Sequence, residues 1–555
     1  MPSSTKLTSR LAQLRLVWDG TSPGVACARR WKSSAAPQAS FVLEDFPETR
    51  NLEDMEWRRS IPYSEVPGPT PLPILGNNWR FLPYIGHFRI EQLDKISRYL
   101  YDNYGSCVKL AGIMGRPDIV FIADPDDIEK VFRNEDQYPH RPSMPSLVYY
   151  KTVMRKDFFG KYAGVLSVQG ENWSSFRAKV QQAMLQPRTA KLYIGAIEEA
   201  ATALVDRARS IKDENQEMPA DFMNELNKWS LESIASIALD TRLGCLDDKC
   251  PEDTQQLINA VTKFFTNVRT LEVKFPFWKF FSTPTWRSYI SALDTIWRVS
   301  LNHIEAAIQR TKDNPNSQRE VSVLQRLLAA NTNDPHVAVV MALEMFIVGI
   351  DTVSTAVAST MYQLSQHQDV QDKLYKEIST ILPTRDTPIT AARLESMHYL
   401  KSCIKENFRM FPTVLWNGRH LSKDSVIHGY QIPKGTMIIF QNYVASNLDK
   451  HFADSSKFSP ERWMKSSPSS NDQPPESRQN KESGCPHHHA FSSLPFGYGK
   501  RMCLGKRFAD LEMQTVICKM IQNFKVEYNH QKLDYVMSPM YMPNGPLKFK
   551  LTDRE

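Results

Sequence analysis

Three glycines and two basic residues crowd one cysteine in PFGYGKRMCLG, residues 495–505. Glycine loses more backbone entropy on folding than any other residue, so such clustering needs a geometric reason. Cys503 has three readings. A buried structural thiol needs no glycine loop. A nucleophile would want a nearby base, and no histidine lies in the loop. A metal ligand suits the loop best: Gly497, Gly499 and Gly505 permit a sharp turn whose N–H groups point at sulfur. A helix starting at about Cys503 would add its positive end and favour the thiolate. Lys500 and Arg501 add positive charge that suits the anionic edge of a bound group.

Four other segments hold residues whose types and spacing suit chemistry. In KENFRMFP, Glu406 and Arg409 stand at i and i+3 on one helix, and FSPERW supplies Arg462. ENWSSFRAKV places Trp173 and Arg177 at i and i+4. FIVGIDTVST puts Asp351 and Thr352 in the middle of an apolar run, where an unpaired carboxylate is expensive. In LKSCIKENFR, Lys401 and Lys405 share a helical face. The tract CPHHH, residues 485–489, invites a metal reading, but nothing near it has paired zinc-finger spacing, and a solvated, adventitious site is expected.

Together these segments resemble the cytochrome P-450 family. FGYGKRMCLG satisfies every fixed position of the family's haem signature: Phe, two residues, Gly, one, Arg, one, Cys, one, Gly. The resemblance implies haem b (iron protoporphyrin IX) with Cys503 as thiolate axial ligand, Phe496 beside it, and Arg501 on a haem propionate. It implies that Trp173, Arg177 and Arg419 also reach propionates, and that Glu406, Arg409 and Arg462 form a buried charge triad. It further implies that a distortion at Gly349 opens a groove for O2, that Thr352 hydrogen-bonds the oxygen, and that Asp351 relays protons. Val348 and Val353 depart from the family's commonest pattern in that segment.

Lys401 and Lys405, with Lys506 and Arg507, resemble the patch on which mitochondrial members dock an acidic, adrenodoxin-like ferredoxin. Residues 141–166 look most like insect mitochondrial members. The implied activity is a monooxygenase that inserts one atom of O2 into an apolar small molecule, steroid-like or xenobiotic, with electrons from NADPH through a ferredoxin reductase. A haem-thiolate isomerase or dehydratase usually lacks the Asp-Thr pair, and a non-enzymatic haem sensor would need neither that pair nor a docking face.

These residues need elements to hold them. The resemblance implies a mainly α fold with small β-sheets, one haem-enclosing domain over 66–555, in place of the three or four domains that 555 residues suggest. VPGPTPLPILGN, 66–77, reads as a rigid extended connector. A strand pair is expected within 107–125, turned by Gly115-Arg116-Pro117, and a hairpin within 426–440, turned by Pro433-Lys434-Gly435. From about 126 to 411 the pattern is helical, and the longest helix is expected from an Asp334 N-cap to about His367. Tyr149, Tyr150, Phe158 and Phe159 read as packing aromatics. Residues 465–493 read as a disordered surface insertion.

The formal net charge of +7 is concentrated: residues 1–40 hold six basic groups against Asp19 alone. The remainder is near neutral, which argues against a nucleic-acid-binding face. Residues 1–40, Arg- and Ser-rich and acid-poor, read as a mitochondrial transit peptide, followed by a polar segment, 41–65. No run of 18 apolar residues occurs, so no transmembrane helix is expected; the resemblance implies peripheral attachment to the matrix side of the inner membrane. The eight cysteines form no CxxC pair, which fits a reducing compartment.

Overall fold

The apolar run after Pro335 winds into one helix, His336–Gln366, in the computed structural model. The structure describes residues 54–464 and 488–555, apart from 83, 143, 314–320, 538 and 539. The expected transit peptide lies outside the described residues, as do 41–53 and 465–487. At 1.5 Å per residue the long helix runs about 47 Å, and 25 of its 31 residues are buried. It is apolar enough to cross a membrane, but its most apolar window is 78% buried within the protein, so it is a core helix. Helices Phe222–Leu239, Pro284–Asp313, Val323–Ala330, His398–Met410 and Lys506–Asn523 pack around it. The fold is mainly α with small sheets.

Two local expectations about this helix need correction. Pro335, not Asp334, occupies the N-cap, and no side chain caps it. The Asp334 carboxylate instead faces Lys179 at 3.5 Å and Lys161 at 3.7 Å, because two ammonium groups compete for it with the helix end. The helix also runs uninterrupted through Gly349. Glycine is required there for close packing: a Cβ would meet Ile234 Cδ1 at 2.5 Å.

Strands Cys107–Leu110 and Ile119–Ile122 pair antiparallel, as the sequence predicts. Ile119–Ile122 then pairs parallel with Met437–Phe440, which pairs antiparallel with Asn417–His420 to complete a four-stranded sheet. The hairpin in this region turns one step earlier than predicted. Ser425–Ile427 pairs with Tyr430–Ile432 around His428 (φ 51) and Gly429 (φ 77), both in the left-handed region that a two-residue turn needs. Pro433-Lys434-Gly435 is a corner where the chain changes sheets. The proline-rich connector is not extended throughout, since Leu72 and Gly76 exchange both backbone hydrogen bonds in a tight turn. Tyr150, Phe158 and Phe159 are buried as packing groups, whereas Tyr149 is exposed and sets its edge against Trp278 and Trp286.

The loop that follows the central bundle is tied down by one carboxylate. Glu406, fully buried, accepts from Arg409 Nε and Nη2 at 2.9 Å each, from Arg462 Nε at 2.9 Å, from Trp463 Nε1 at 2.9 Å and from the Ser459 backbone N–H at 3.0 Å. Arg409 uses its remaining donors on the carbonyls of Ser446, Ser455 and Lys457. A buried charge bonded at every oxygen lone pair is stable in place, and removing it strands two guanidiniums. Glu406→Gln should therefore cost about 3–5 kcal/mol in urea unfolding. Lys457→Ala, which breaks an exposed pair with Asp454, should change stability by less than about 0.5 kcal/mol.

Candidate functional site

The cysteine loop owes its shape to two glycines. Gly497 (φ 68) and Gly499 (φ 72) occupy the left-handed region, and Cys503 N–H closes the turn onto Phe496 O at 2.9 Å. The following helix begins at Lys506 rather than at Cys503, so its positive end is offset from the sulfur by a short turn. The Gly505 N–H bonds the thiol, and the guanidiniums of Arg177 and Arg141 act in the same direction, favouring the thiolate. Burial outweighs them and holds the thiol above its ordinary value. The loop alone does not set a free thiolate; a coordinated metal ion would.

Although burial dominates its titration, Cys503 is accessible to solvent, which places it on the wall of an interior space. The central helix has a matching feature. Met345, Val348, Gly349 and Thr352, spaced i, i+3, i+4 and i+7, are partly exposed in the middle of an otherwise buried helix. That spacing makes one face. Val414, between the Glu406 helix and strand Asn417–His420, is 45% exposed. Phe496 is partly buried and sets its edge against Phe408.

Beside the cysteine stand four arginines and too few anions. Arg501 lies 3.6 Å above the Trp173 ring, donates to Pro139 O at 3.0 Å and to Gln169 Oε1 at 2.6 Å, and carries no ion pair among the described residues. Arg177 donates twice to Met502 O at 3.0 Å, and its buried Nε has no partner. Arg419 is held by Glu135 at 2.5 Å. Arg141, which sequence reasoning missed, completes the cluster, with no hydrogen bond or ion pair on its guanidinium among the described residues. Burial and mutual repulsion with Arg141, Arg419 and Arg177 pull Arg501 down to about 9. Arg141 and Arg177 are lowered mainly by burial. Three buried arginines and the half-buried Arg141 face Glu135, which Arg419 already engages, and Glu344, which Lys151 already engages, so the excess of positive charge suits an anionic group from outside. Haem, with two propionates and an iron for the sulfur, fits this donor set. Arg419 is the least available for it, because Glu135 already neutralises it.

The acid and the alcohol of the central helix point different ways. Neighbouring residues on a helix are about 100° apart, and Thr352 is on the open face while Asp351 is 3% exposed. Thr352 donates its hydroxyl proton to Val348 O at 2.8 Å, leaving its lone pairs for the interior space. Asp351 Oδ1 accepts from Thr262 at 3.4 Å, while Oδ2 is buried without a partner. Burial, opposed only by the Thr262 hydroxyl, pushes this carboxyl up to about 7. Two turns earlier Glu344 forms a fully buried ion pair with Lys151, a second pair that the sequence did not reveal. Gly164 (φ 83) makes room for it: a Cβ there would meet the Glu344 carboxyl at 2.4 Å.

On the outer side, Lys405, Lys506 and Arg507 all act on Asp510, which burial nonetheless pushes up to about 6, so the three cations share one patch. Lys401 adjoins it: repulsion from Lys405 contributes to its lowered pKa, although burial is the larger cause. The histidine tract is not solvated throughout. His488 stacks on Phe452 at 4.3 Å, and Phe491 is buried, so residues 488–493 are not part of a disordered insertion. His489 Nε2 lies 3.2 Å from Asp126 and 3.1 Å from Glu129. These three could hold a metal ion by distance alone. However, His489 Nδ1 accepts the Phe491 N–H at 3.2 Å, which puts the imidazole proton on Nε2, so this nitrogen donates to the carboxylates and is not a free ligand.

The model of the cytochrome P450 family matches residues 66–551. The probable mitochondrial cytochrome P450 301a1 of Drosophila melanogaster is 46% identical over 502 residues, covering 90% of this chain and 88% of that protein. The probable cytochrome P450 49a1 of the same fly is 43% identical, covering 89% and 83%. Cytochrome P450 CYP12A2 of Musca domestica is 35% identical, covering 90% and 92%.

The raised Asp351 carboxyl has a consequence for stability. An acid whose folded pKa exceeds its ordinary value opposes folding once it ionises, so stability falls as pH rises from about 4 through about 7. Asp351→Asn should raise the unfolding free energy at pH 8, by at most on the order of 4 kcal/mol at about 1.36 kcal/mol per pH unit. The advantage should shrink toward pH 5 in paired urea titrations.

Proposed function

The chain belongs to the cytochrome P450 family, and from that premise we propose that it is a mitochondrial, ferredoxin-driven monooxygenase with Cys503 as its haem ligand. Members are oxidoreductases that hold haem b through a cysteine thiolate, so the cofactor and the reaction class come with the family. The reading of the site rests above all on the arginine cluster, where Arg141, Arg177 and Arg501 form no ion pair with a carboxylate among the described residues, beside an accessible Cys503. When bound there, haem supplies the redox chemistry that splits O2, one atom entering the substrate and one leaving as water, with NADPH as the two-electron source. The chain's residues supply the rest. Cys503 Sγ would ligate the iron and donate electron density to it, the Gly505 N–H would moderate that donation, and the arginines with Trp173 would hold the propionates. Thr352 Oγ1 accepts a hydrogen bond on the open face, and Asp351 holds or yields a proton near neutral pH.

The patch of Lys401, Lys405, Lys506 and Arg507 is the proposed dock for an acidic ferredoxin, since clustered exposed cations raise the association rate of an anionic partner. Residues 1–40 are proposed as the mitochondrial address; the names of six similar Drosophila proteins carry the same location. A second surface supports peripheral membrane attachment. The exposed Ile74 and Leu75, Met114, and Phe277, Phe280 and Phe281 come from three segments that touch. Gly76 meets the backbone of Gly112, and Gly115 faces Pro276. The exposed Lys274 and Lys279 flank the phenylalanines, which suits anionic phospholipid. The open, apolar side chains Met345, Val348 and Val414 favour an apolar substrate.

The deciding measurement is the carbon monoxide difference spectrum of the reduced protein beside Cys503→Ala. A far-red Soret band present in the wild type and absent in the variant is expected; a folded, haem-loaded variant that keeps the band would overturn the assignment. Arg141→Leu should lower the haem absorbance per folded protein several-fold. Phe280→Asp with Ile74→Asp should cut co-sedimentation with anionic phospholipid vesicles by roughly tenfold while leaving that spectrum unchanged.

A further inference from the structure

The central helix holds a buried carboxylate with no counter-charge, and solvent reaches its hydrogen-bond partner. Helices Phe222–Leu239 and Glu252–Val273 leave between them an open groove of about 460 Å³, lined by Asn224, Asn227, Asn259, Thr262, Thr266 and Asn267. Thr262 is in two places at once: it lines the groove, and its hydroxyl donates to Asp351 Oδ1 at 3.4 Å. Deeper in, Asn227 Oδ1 accepts the Ser354 hydroxyl at 2.6 Å, which carries the polar lining to the central helix a second time. The lining is amide and hydroxyl apart from Ile258 and one exposed cation, Lys263. Neutral groups of this kind pass a proton along without trapping it, since none titrates near neutral pH.

The charges around Asp351 leave it free to serve as the end of such a path. On the first helix, Glu225 and Lys228 pair with each other, and Arg207 with Glu225. On the second, Lys263 stands at the groove. None of these contributes to the titration of Asp351, which is set by burial and by Thr262.

We propose that this groove is the proton inlet for oxygen reduction and that Thr262 is the positioning residue that hands the proton to Asp351. The proposal rests on the reading of Asp351 as the internal proton donor. A proton from solvent in the groove binds the Thr262 oxygen as the hydroxyl's own proton passes to Asp351 Oδ1. The hydroxyl is regenerated, the carboxylate becomes the acid, and no electrons move. Rotation of the carboxyl about Cβ–Cγ exchanges its two oxygens and brings the protonated one into the unpartnered position, from which the proton is passed onward.

The test uses the haem-loaded full chain and three variants. Thr262→Val keeps the shape and deletes the hydroxyl, Thr262→Ser restores it, and Asn259→Trp fills the groove from its exposed rim without touching the bond to Asp351. The first readout is infrared difference titration of the protonated carboxyl band that Asp351→Asn abolishes. The wild-type band should titrate near pH 7. It should move upward in Thr262→Val, because the bond to the charged form is lost, and return in Thr262→Ser. The second readout is NADPH oxidation with a ferredoxin chain in H2O and D2O. Turnover should fall roughly tenfold in Thr262→Val and in Asn259→Trp, with a larger solvent isotope effect and an unchanged KM for ferredoxin. Wild-type turnover in Thr262→Val and Asn259→Trp, beside a slow Asp351→Asn, would overturn the inlet alone. Wild-type turnover in Asp351→Asn would overturn the donor reading beneath it.

Discussion

The Glu406 carboxylate is the interaction on which the rest of the structure depends. It gathers two guanidiniums, an indole and a backbone N–H around one fully buried carboxylate. Arg409 then spreads the constraint to three carbonyls between Ser446 and Lys457. The effect is to fasten an irregular stretch of chain, which has no sheet or helix ladder of its own, to a helix that packs on the central one. Phe408 of the same helix sets its edge against Phe496, whose carbonyl closes the Cys503 turn. Position therefore passes from a buried ion network to the cysteine sulfur through two aromatic rings and one backbone bond.

A second constraint is electrostatic and remains unmet by the polypeptide. Arg141, Arg177 and Arg501 repel one another where water cannot screen them. Burying like charges opposes folding, and an anionic ligand that neutralises them returns that free energy as binding. Arg141 and Arg177 also lean on Cys503 toward its charged form. Propionate recognition and sulfur ligation are thus coupled through Arg141 and Arg177, which act on both.

How much of this was legible depended on sequence separation. Cys503, its glycines, and the Glu406–Arg409 spacing lie within short windows, and local spacing is what one sequence displays. Arg462 and Trp173 were found only because their segments resemble a family. Glu135 with Arg419, Lys151 with Glu344, and Thr262 with Asp351 are 284, 193 and 89 residues apart, and no local pattern announces such pairs. Arg141 carries no local signal, because the segment around it is marked by aromatics and its electrostatic neighbours Arg419, Cys503 and Glu344 are remote in sequence. The misplaced hairpin has a different cause: His428 and Gly429 hold the two-residue turn, but Pro433-Lys434-Gly435 is the stronger turn by composition. The histidine tract was misjudged because its last residues are packed by Phe452 and Phe491, neighbours that lie outside the tract.

The central helix shows why function and stability pull apart in this fold. Had it served only as a core helix, Val or Leu at 344, 351 and 352 would bury more apolar area at no electrostatic cost. Instead it carries Glu344, which needs Lys151 and a glycine at 164, and Asp351, which has no cationic partner among the described residues. The two acids lie seven residues apart, on the same flank of the helix. One is tied to a lysine in a buried ion pair; the other is left near the midpoint of its titration. An ion pair can orient and hold, but only a group near its midpoint can gain and lose a proton in each cycle. The surrounding apolar helices bear the cost of keeping Asp351 in that state, which is why so long and so deeply buried a helix is needed to present it.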